Sequence, residues 1–159
     1  MLLADDFVTF LNSRQAVSDY PAAIFPEELV AAYPEASIIL TTRSEDVWYA
    51  SMMSTVIHMQ SKRAPGDPSP MAALSRLYNE KCWGDNFEET GRAFFHKHND
   101  TVRALGEGRK FLEWEAKEGW ERVCKFLGYE VPNAPFPRND DWVEYKRMVE
   151  QEKAQASSS

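Results

Sequence analysis

Cysteine is scarce in this chain: Cys82 and Cys124 are the only two in 159 residues, and no CxxC pair occurs, so no disulfide framework is encoded. That usage fits a reducing compartment, and the protein is expected to be cytoplasmic. Long apolar runs are absent too. Stretches such as Ile38 to Leu40 fall far short of the roughly 20 residues that span a bilayer. The first ten residues carry Asp5 and Asp6 with no basic flank, so neither signal peptide nor membrane anchor is expected. Basic charge is in deficit, 18 Lys and Arg against 25 Asp and Glu for a net charge of −7, which excludes a broad nucleic-acid surface. The sequence contains no GxxxxGK[ST], GxGxxG, HExxH or GxSxG. Gly106 and Gly108 precede a strand instead of following one, the wrong context for a dinucleotide loop. His96 and His98, two apart on a helix, point about 200° away from each other, so no shared metal is expected. Neither cysteine has an activating partner in the sequence, and both read as ordinary semi-buried thiols.

What remains is enough for one folded domain: 43% of residues are hydrophobic and 13% aromatic. The pattern alternates helix and strand without internal repeats. Residues 1–12 read as a helix and 15–19 as a short strand. A second helix is expected from Pro21 to about Tyr33, where Pro34 ends it. Residues 36–42 form an apolar strand of the kind covered on both faces, so that strand, helix and strand compose a βαβ unit. Ser44 is a candidate N-cap for a helix reaching about Met59, with Glu45 and Asp46 in its first turn. QSKRAPGDPSP, residues 60–70, holds three prolines and a glycine and is a loop, either plain surface or a lid. Further helices are expected over 71–79 and 86–105, a third strand over 109–116, and a helix over 117–127 stopped by Gly128 as a C′ glycine. After the proline-rich loop VPNAPFPRNDD comes a charged amphipathic helix, 142–155, and a frayed tail at 157–159.

The chemistry concentrates in IILTTRSEDVWYAS, residues 38–51. It reads as a strand, a sharp turn and the start of a helix. Ligands of open α/β sheets bind outside the carboxyl ends of strands, where helix N-termini offer free N–H groups and partial positive charge. Arg43 at the turn and Ser51 on the helix would both face a bound anion, most simply a phosphate.

Two blocks then carry a resemblance. AVSDYPAAIFPEELVAAYPEASIILTTRSEDVWYASM is similar to the central block of the fungal-type sulfotransferase-like proteins of P-loop fold. FLEWEAKEGWERVCKFLGYEVPNAPFPRNDD resembles that family's strand, GW-led helix, FLG stop and PFPR loop in the same order. The resemblance covers residues 16–140, leaving 141–159 as helix and tail. It implies a three-layer P-loop NTPase-like α/β fold with a parallel sheet and extra helices between strands. It also implies transfer of a sulfuryl group from 3′-phosphoadenosine 5′-phosphosulfate to a small-molecule hydroxyl. Arg43 and Ser51 match the family's 3′-phosphate contacts, and their donors suit phosphate oxygens. Trp48 matches a family tryptophan, either core packing or an adenine-side contact. Arg138 corresponds to a second phosphate clamp or an exposed arginine. Asp19, at the end of the strand over 15–19, is the candidate catalytic base, with an N-cap role as its alternative. Glu115 also matches the family and reads equally as a capping or ion-paired carboxylate.

The departures from the family pattern carry as much information. A relative of this kind opens with a strand and a GxxRTGTxS-like loop whose N–H groups hold the phosphosulfate. No such loop stands in these 159 residues. The turn reads Arg43, Ser44, Glu45 where the family commonly has an RDP-like sequence. A single incomplete domain, 1–159, is therefore expected, its first strand and phosphate loop absent, with little or no turnover alone. An exposed sheet edge would offer a route to self-association. The alternative is a noncatalytic nucleotide-binding or protein-interaction remnant of the fold.

Overall fold

The computed structural model describes residues 15–138, 140 and 142–156, and its chain divides into two compact units. The helix expected over 1–12 and the tail at 157–159 lie outside the described residues. One unit joins the residues up to Thr42 with Ala93–Val131, and the other joins Arg43–Arg92 with Pro132–Ser159.

The first unit is organised by two parallel strands, β1 (Ile38–Thr41) and β2 (Phe111–Trp114), in the register Ile38 with Phe111 through Thr41 with Trp114. The ladder is extended at its ends by Ile38 N–H donating to the Lys110 carbonyl and Thr42 N–H to the Trp114 carbonyl, both at 2.9 Å. Leu40, Leu112 and Trp114 are buried, as is Val102 on the helix that precedes β2. Parallel neighbours need a crossover, and here it runs from residue 42 to residue 110. Helix α1 (Pro26–Ala32) precedes β1. The helix after β2 packs against it and buries Cys124.

Three expectations are corrected in this unit. Residues 15–19 form no strand: they are exposed and carry no ladder bonds, and an extended segment becomes a strand only by pairing. The parallel pair is accordingly β1 with β2, not a βαβ unit built on 15–19. The helix expected from Pro21 to Tyr33 is divided into a 3-10 turn at Ala22–Ile24 and α1, because Phe25 precedes Pro26 and takes φ −123°. The helix expected over 117–127 begins later, at Trp120. Ala116–Glu118 is a 3-10 turn, and Gly119 breaks the path with φ 72° and ψ −153°, a region essentially reserved for glycine. Gly128 does adopt the left-handed C-cap expected of it, and Tyr129 N–H donates to the Cys124 carbonyl at 2.9 Å.

The second unit is helical: α2 (Glu45–Ser54), α3 (Val56–Ser61), α4 (Pro70–Trp83) and the opening of α5 (Phe87–Gly106), whose remainder belongs to the first unit. Past β2, α6 (Trp120–Leu127) lies in the first unit and α7 (Val143–Ala156) in the second. The single helix expected from Ser44 to Met59 is broken at Thr55 (φ −129°, ψ −91°). Hydroxyls cause the break locally, since Thr55 Oγ1 donates to the Ser51 carbonyl at 2.6 Å and Ser54 Oγ to the Ala50 carbonyl at 2.9 Å. Helix α4 outruns its expected end at 79 and stops at Gly84 in the left-handed conformation, φ 57°. Its start is capped by Ser69, whose hydroxyl accepts from Ala72 N–H at 3.2 Å with Pro70 at the first position. The preceding proline-rich loop is tied down by Asp67, which pairs with Arg63 at 3.3 Å and accepts from Ser69 N–H at 2.8 Å.

The core of this unit is aromatic. Phe87, 4% exposed, meets Trp83 at 5.0 Å between ring centroids, Tyr49 at 5.2 Å and Trp48 at 5.5 Å. Burying such a ring contributes about 1.5–3 kcal/mol, with a further increment of about 0.5–1.5 kcal/mol for each well-placed pair. Gly91 lies one turn above it on α5, and a Cβ there would stand 2.6 Å from the Phe87 ring. Thr55, Ala72, Cys82 and Val149 are also buried in this unit. Burial pushes the Cys82 thiol up to about 12, which makes it inert at neutral pH.

Candidate functional site

The strand-to-helix turn after β1 exists as the sequence predicts. Thr42 makes the last ladder bond, Arg43 is exposed, and Ser44 occupies the N-cap of α2 with φ −61° and ψ 141°, although its hydroxyl makes no cap bond. Ser51 lies seven residues past that cap, which is nearly two whole turns, so it returns to the side of α2 from which the chain enters. It is half-buried, and its carbonyl is occupied by the Ser54 and Thr55 hydroxyls. Trp48, one turn before Ser51, is also half-buried and rests on Phe87.

The PFPR loop reaches the same unit. Arg138 is exposed. Two residues later, Asp140 accepts from Lys146 Nζ at 2.8 Å and from Trp142 N–H at 3.0 Å. These bonds, Lys146 first, hold the Asp140 carboxyl below its ordinary range, and the positive field of Arg43 adds to them. The late loop and the early turn, nearly a hundred residues apart in sequence, are thus electrostatic neighbours within one unit.

Other candidates take structural places. Asp19 is not at a strand end. It sits in a left-handed turn at φ 60°, exposed, where Oδ1 accepts from Tyr20 N–H at 2.7 Å and its carbonyl accepts from Ala23 N–H at 2.8 Å. Aspartate tolerates that conformation because its short side chain bonds the local backbone. The cap position of the following 3-10 turn belongs to Pro21, so Asp19 is not an N-cap either. Asp19 falls in the first unit and Arg43 in the second. Glu115 forms a reciprocal capping box with Glu118 and pairs with Lys117 at 2.6 Å. His98 stacks on Phe94 at 6.0 Å and burial lowers its pKa, while His96 is exposed. Among the described residues no group of three or more His, Cys, Asp or Glu could hold a metal ion, and no helix is long and apolar enough to cross a membrane.

A family described as "Sulfotransferase domain" matches residues 2–145. The chain belongs to the sulfotransferase domain family. Its parallel strand pair, long helical crossover and strand-to-helix turn are those of a sulfotransferase-like α/β fold. The chain is also similar to a protein of Aspergillus versicolor described as Ava biosynthesis cluster protein M. The two are 37% identical over 146 residues, which is 83% of this chain and 56% of the relative. This sulfotransferase-domain chain thus spans little more than half the length of that relative.

Two clusters escaped sequence reasoning. Arg92 on α5 pairs with both Glu45 at 2.5 Å and Asp46 at 2.8 Å in the first turn of α2. His58 on α3 has Nδ1 2.9 Å from the Tyr145 hydroxyl and Nε2 3.4 Å from Glu152, which also pairs with Lys62 at 2.7 Å. Partners in these clusters stand 46 to 94 residues apart, and no local spacing marks them.

Proposed function

We propose that this chain holds the 3′-phosphate end of 3′-phosphoadenosine 5′-phosphosulfate, as part of a sulfotransferase acting on a small-molecule hydroxyl. The exposed guanidinium of Arg43 at the mouth of α2 is the observation that carries the reading. In this proposal Arg43 gives paired N–H donors to the phosphate, and the Ser51 hydroxyl adds a donor from the same side of the helix. The N-terminal N–H groups of α2 add partial positive charge. Trp48 and Arg138 are assigned to the adenine side and to a second phosphate contact. When bound, the nucleotide supplies the transferable sulfuryl group. Asp19 is the candidate base for the acceptor's proton, so Asp19→Asn is expected to leave nucleotide affinity unchanged.

No glycine-rich loop for the phosphosulfate stands in these 159 residues. We therefore infer that the polypeptide, assayed by itself, binds without turnover. Calorimetry with adenosine 3′,5′-bisphosphate tests the binding: Arg43→Ala is expected to weaken it about tenfold or more, the worth of a hydrogen-bonded charge pair. An affinity unchanged by that substitution, or no binding by the unaltered chain, would reject the half-site in favour of an interaction remnant of the fold. Clear sulfate transfer by the purified chain would reject the inferred inactivity. Each strand of the two-stranded sheet has one side without a ladder partner among the described residues. Self-association through that edge is a further part of the proposal, and light scattering of the eluting protein would expose it as a mass that grows with concentration.

A further inference from the structure

Glu45 and Asp46 stand in the first turn of α2, where acids favour the helix but oppose any anion drawn to the same end. Arg92 answers both from α5. Its Nη1 donates to Glu45 Oε1 at 2.5 Å and to Asp46 Oδ1 at 2.8 Å. The guanidinium carbon also lies 4.4 Å from the centre of the Tyr49 ring, so the cation is held over an aromatic face on the helix it neutralises. Tyr49 in turn stacks on Phe87 and donates its hydroxyl to the Glu88 carbonyl at 3.3 Å. The Glu45 side chain is 28% exposed and that of Asp46 86%, so solvent screens Asp46 and Glu45 carries most of the unfavourable field. Arg92 is bound to α2 through carboxylates and ring together, without occupying Arg43 or Ser51.

We propose that Arg92 is a positioning residue for the anion site at Arg43: it offsets the charge of Glu45, ties down the solvent-screened Asp46 and fixes the first turn of α2. This deepens the half-site reading and rests on it. The role is electrostatic as well as steric, and the two parts separate by substitution. Arg92→Met keeps an unbranched stem over Tyr49 but removes the charge, and Arg92→Lys keeps the charge but loses the planar fork.

The test is calorimetric titration of the full chain with adenosine 3′,5′-bisphosphate at low and high salt. Arg92→Met is expected to weaken binding about threefold at low salt, the scale of one charge at a helix end, with the difference shrinking at 1 M salt. Arg92→Lys should restore most of the loss. Adding Glu45→Gln and Asp46→Asn to Arg92→Met should return the affinity to the unaltered value, a rescue that a purely structural role would not give. If Arg92→Met does not fold, Glu45→Gln with Asp46→Asn in the otherwise unaltered chain serves instead and should tighten binding about threefold. Unchanged affinity in Arg92→Met, failure of the rescue, or no tightening in the carboxylate variant would overturn the proposal. Arg43→Ala discriminates the level of failure: if it also leaves affinity unchanged, the half-site reading has failed; if it alone abolishes binding, only the role of Arg92 has.

Discussion

Replacing Gly91 by alanine sets two opposing effects against each other. In the interior of α5 the substitution gains helix propensity, about 1 kcal/mol. Against it stands the Phe87 ring, whose atoms would lie 2.6, 2.7 and 3.0 Å from the new Cβ, well inside van der Waals contact. The ring has little room to yield, because it is 4% exposed and bounded by Trp83, Tyr49 and Trp48 at 5.0, 5.2 and 5.5 Å. Overpacking of this kind costs about 1–3 kcal/mol. The steric term therefore wins, and Gly91→Ala is expected to destabilise the protein by about 1 kcal/mol net. Urea unfolding measures it as a lower midpoint at unchanged slope, with a loss of aromatic near-ultraviolet dichroism as the ring shifts. A second substitution makes the cause specific: combined with Phe87→Leu, Gly91→Ala should become neutral or stabilising, because the obstructing ring is gone. A midpoint raised by Gly91→Ala in the otherwise unaltered chain would refute this reasoning.

Gly119→Ala forces an L side chain into φ 72°, ψ −153° and is expected to lower stability by about 1–3 kcal/mol, again read from the urea midpoint. Arg103 gives Glu113 two hydrogen bonds, 2.9 Å from Nε and 2.7 Å from Nη2, which hold that carboxyl below its ordinary range. Because its folded pKa is depressed, the pair stabilises above the unfolded value of about 4.3 and its contribution fades as pH falls through the lower folded value. Glu113→Gln should thus lower the urea midpoint slightly at pH 7, with the difference from the unaltered chain disappearing in more acidic solution; the effect is small because both side chains are about two-fifths exposed.

Much of the local structure was legible because it depends on near neighbours in sequence. The apolar run at residues 38–41 became β1, Gly128 took its left-handed cap, and Pro65, Gly66, Pro68 and Pro70 marked a loop and the start of a helix. The failures have equally local causes that periodicity does not register. Pro26 divided one expected helix through the residue before it, and the hydroxyls of Ser54 and Thr55 divided another. Residues 15–19 hold a single strand-favouring residue, Val17, and pairing makes a strand, which so short a segment does not encode. Of the candidate site, Arg43 and Ser51 could be read from their place after an apolar strand. The electrostatic influence of Arg43 on Asp140 and the pairing of Arg92 with Glu45 could not, since each joins segments separated by nearly fifty residues or more.

The parallel pairing of β1 with β2 also orders events during synthesis. Among the described residues, Ile38 has no ladder partner until Phe111 has been made, 73 residues later. At about 5–20 residues per second that interval lasts roughly 4–15 s. Closing a flexible connection of this length costs about 4 kcal/mol in chain entropy, growing only slowly with length. Helices α2 to α5 all lie within that connection and can form by local contacts first, shortening the span the strands must close. The aromatic cluster around Phe87 is drawn from α2, α4 and α5, so it is complete in the growing chain before β2 emerges. Its assembly gives the nascent polypeptide a buried apolar centre while Ile38, Ile39 and Leu40 still wait for their partners.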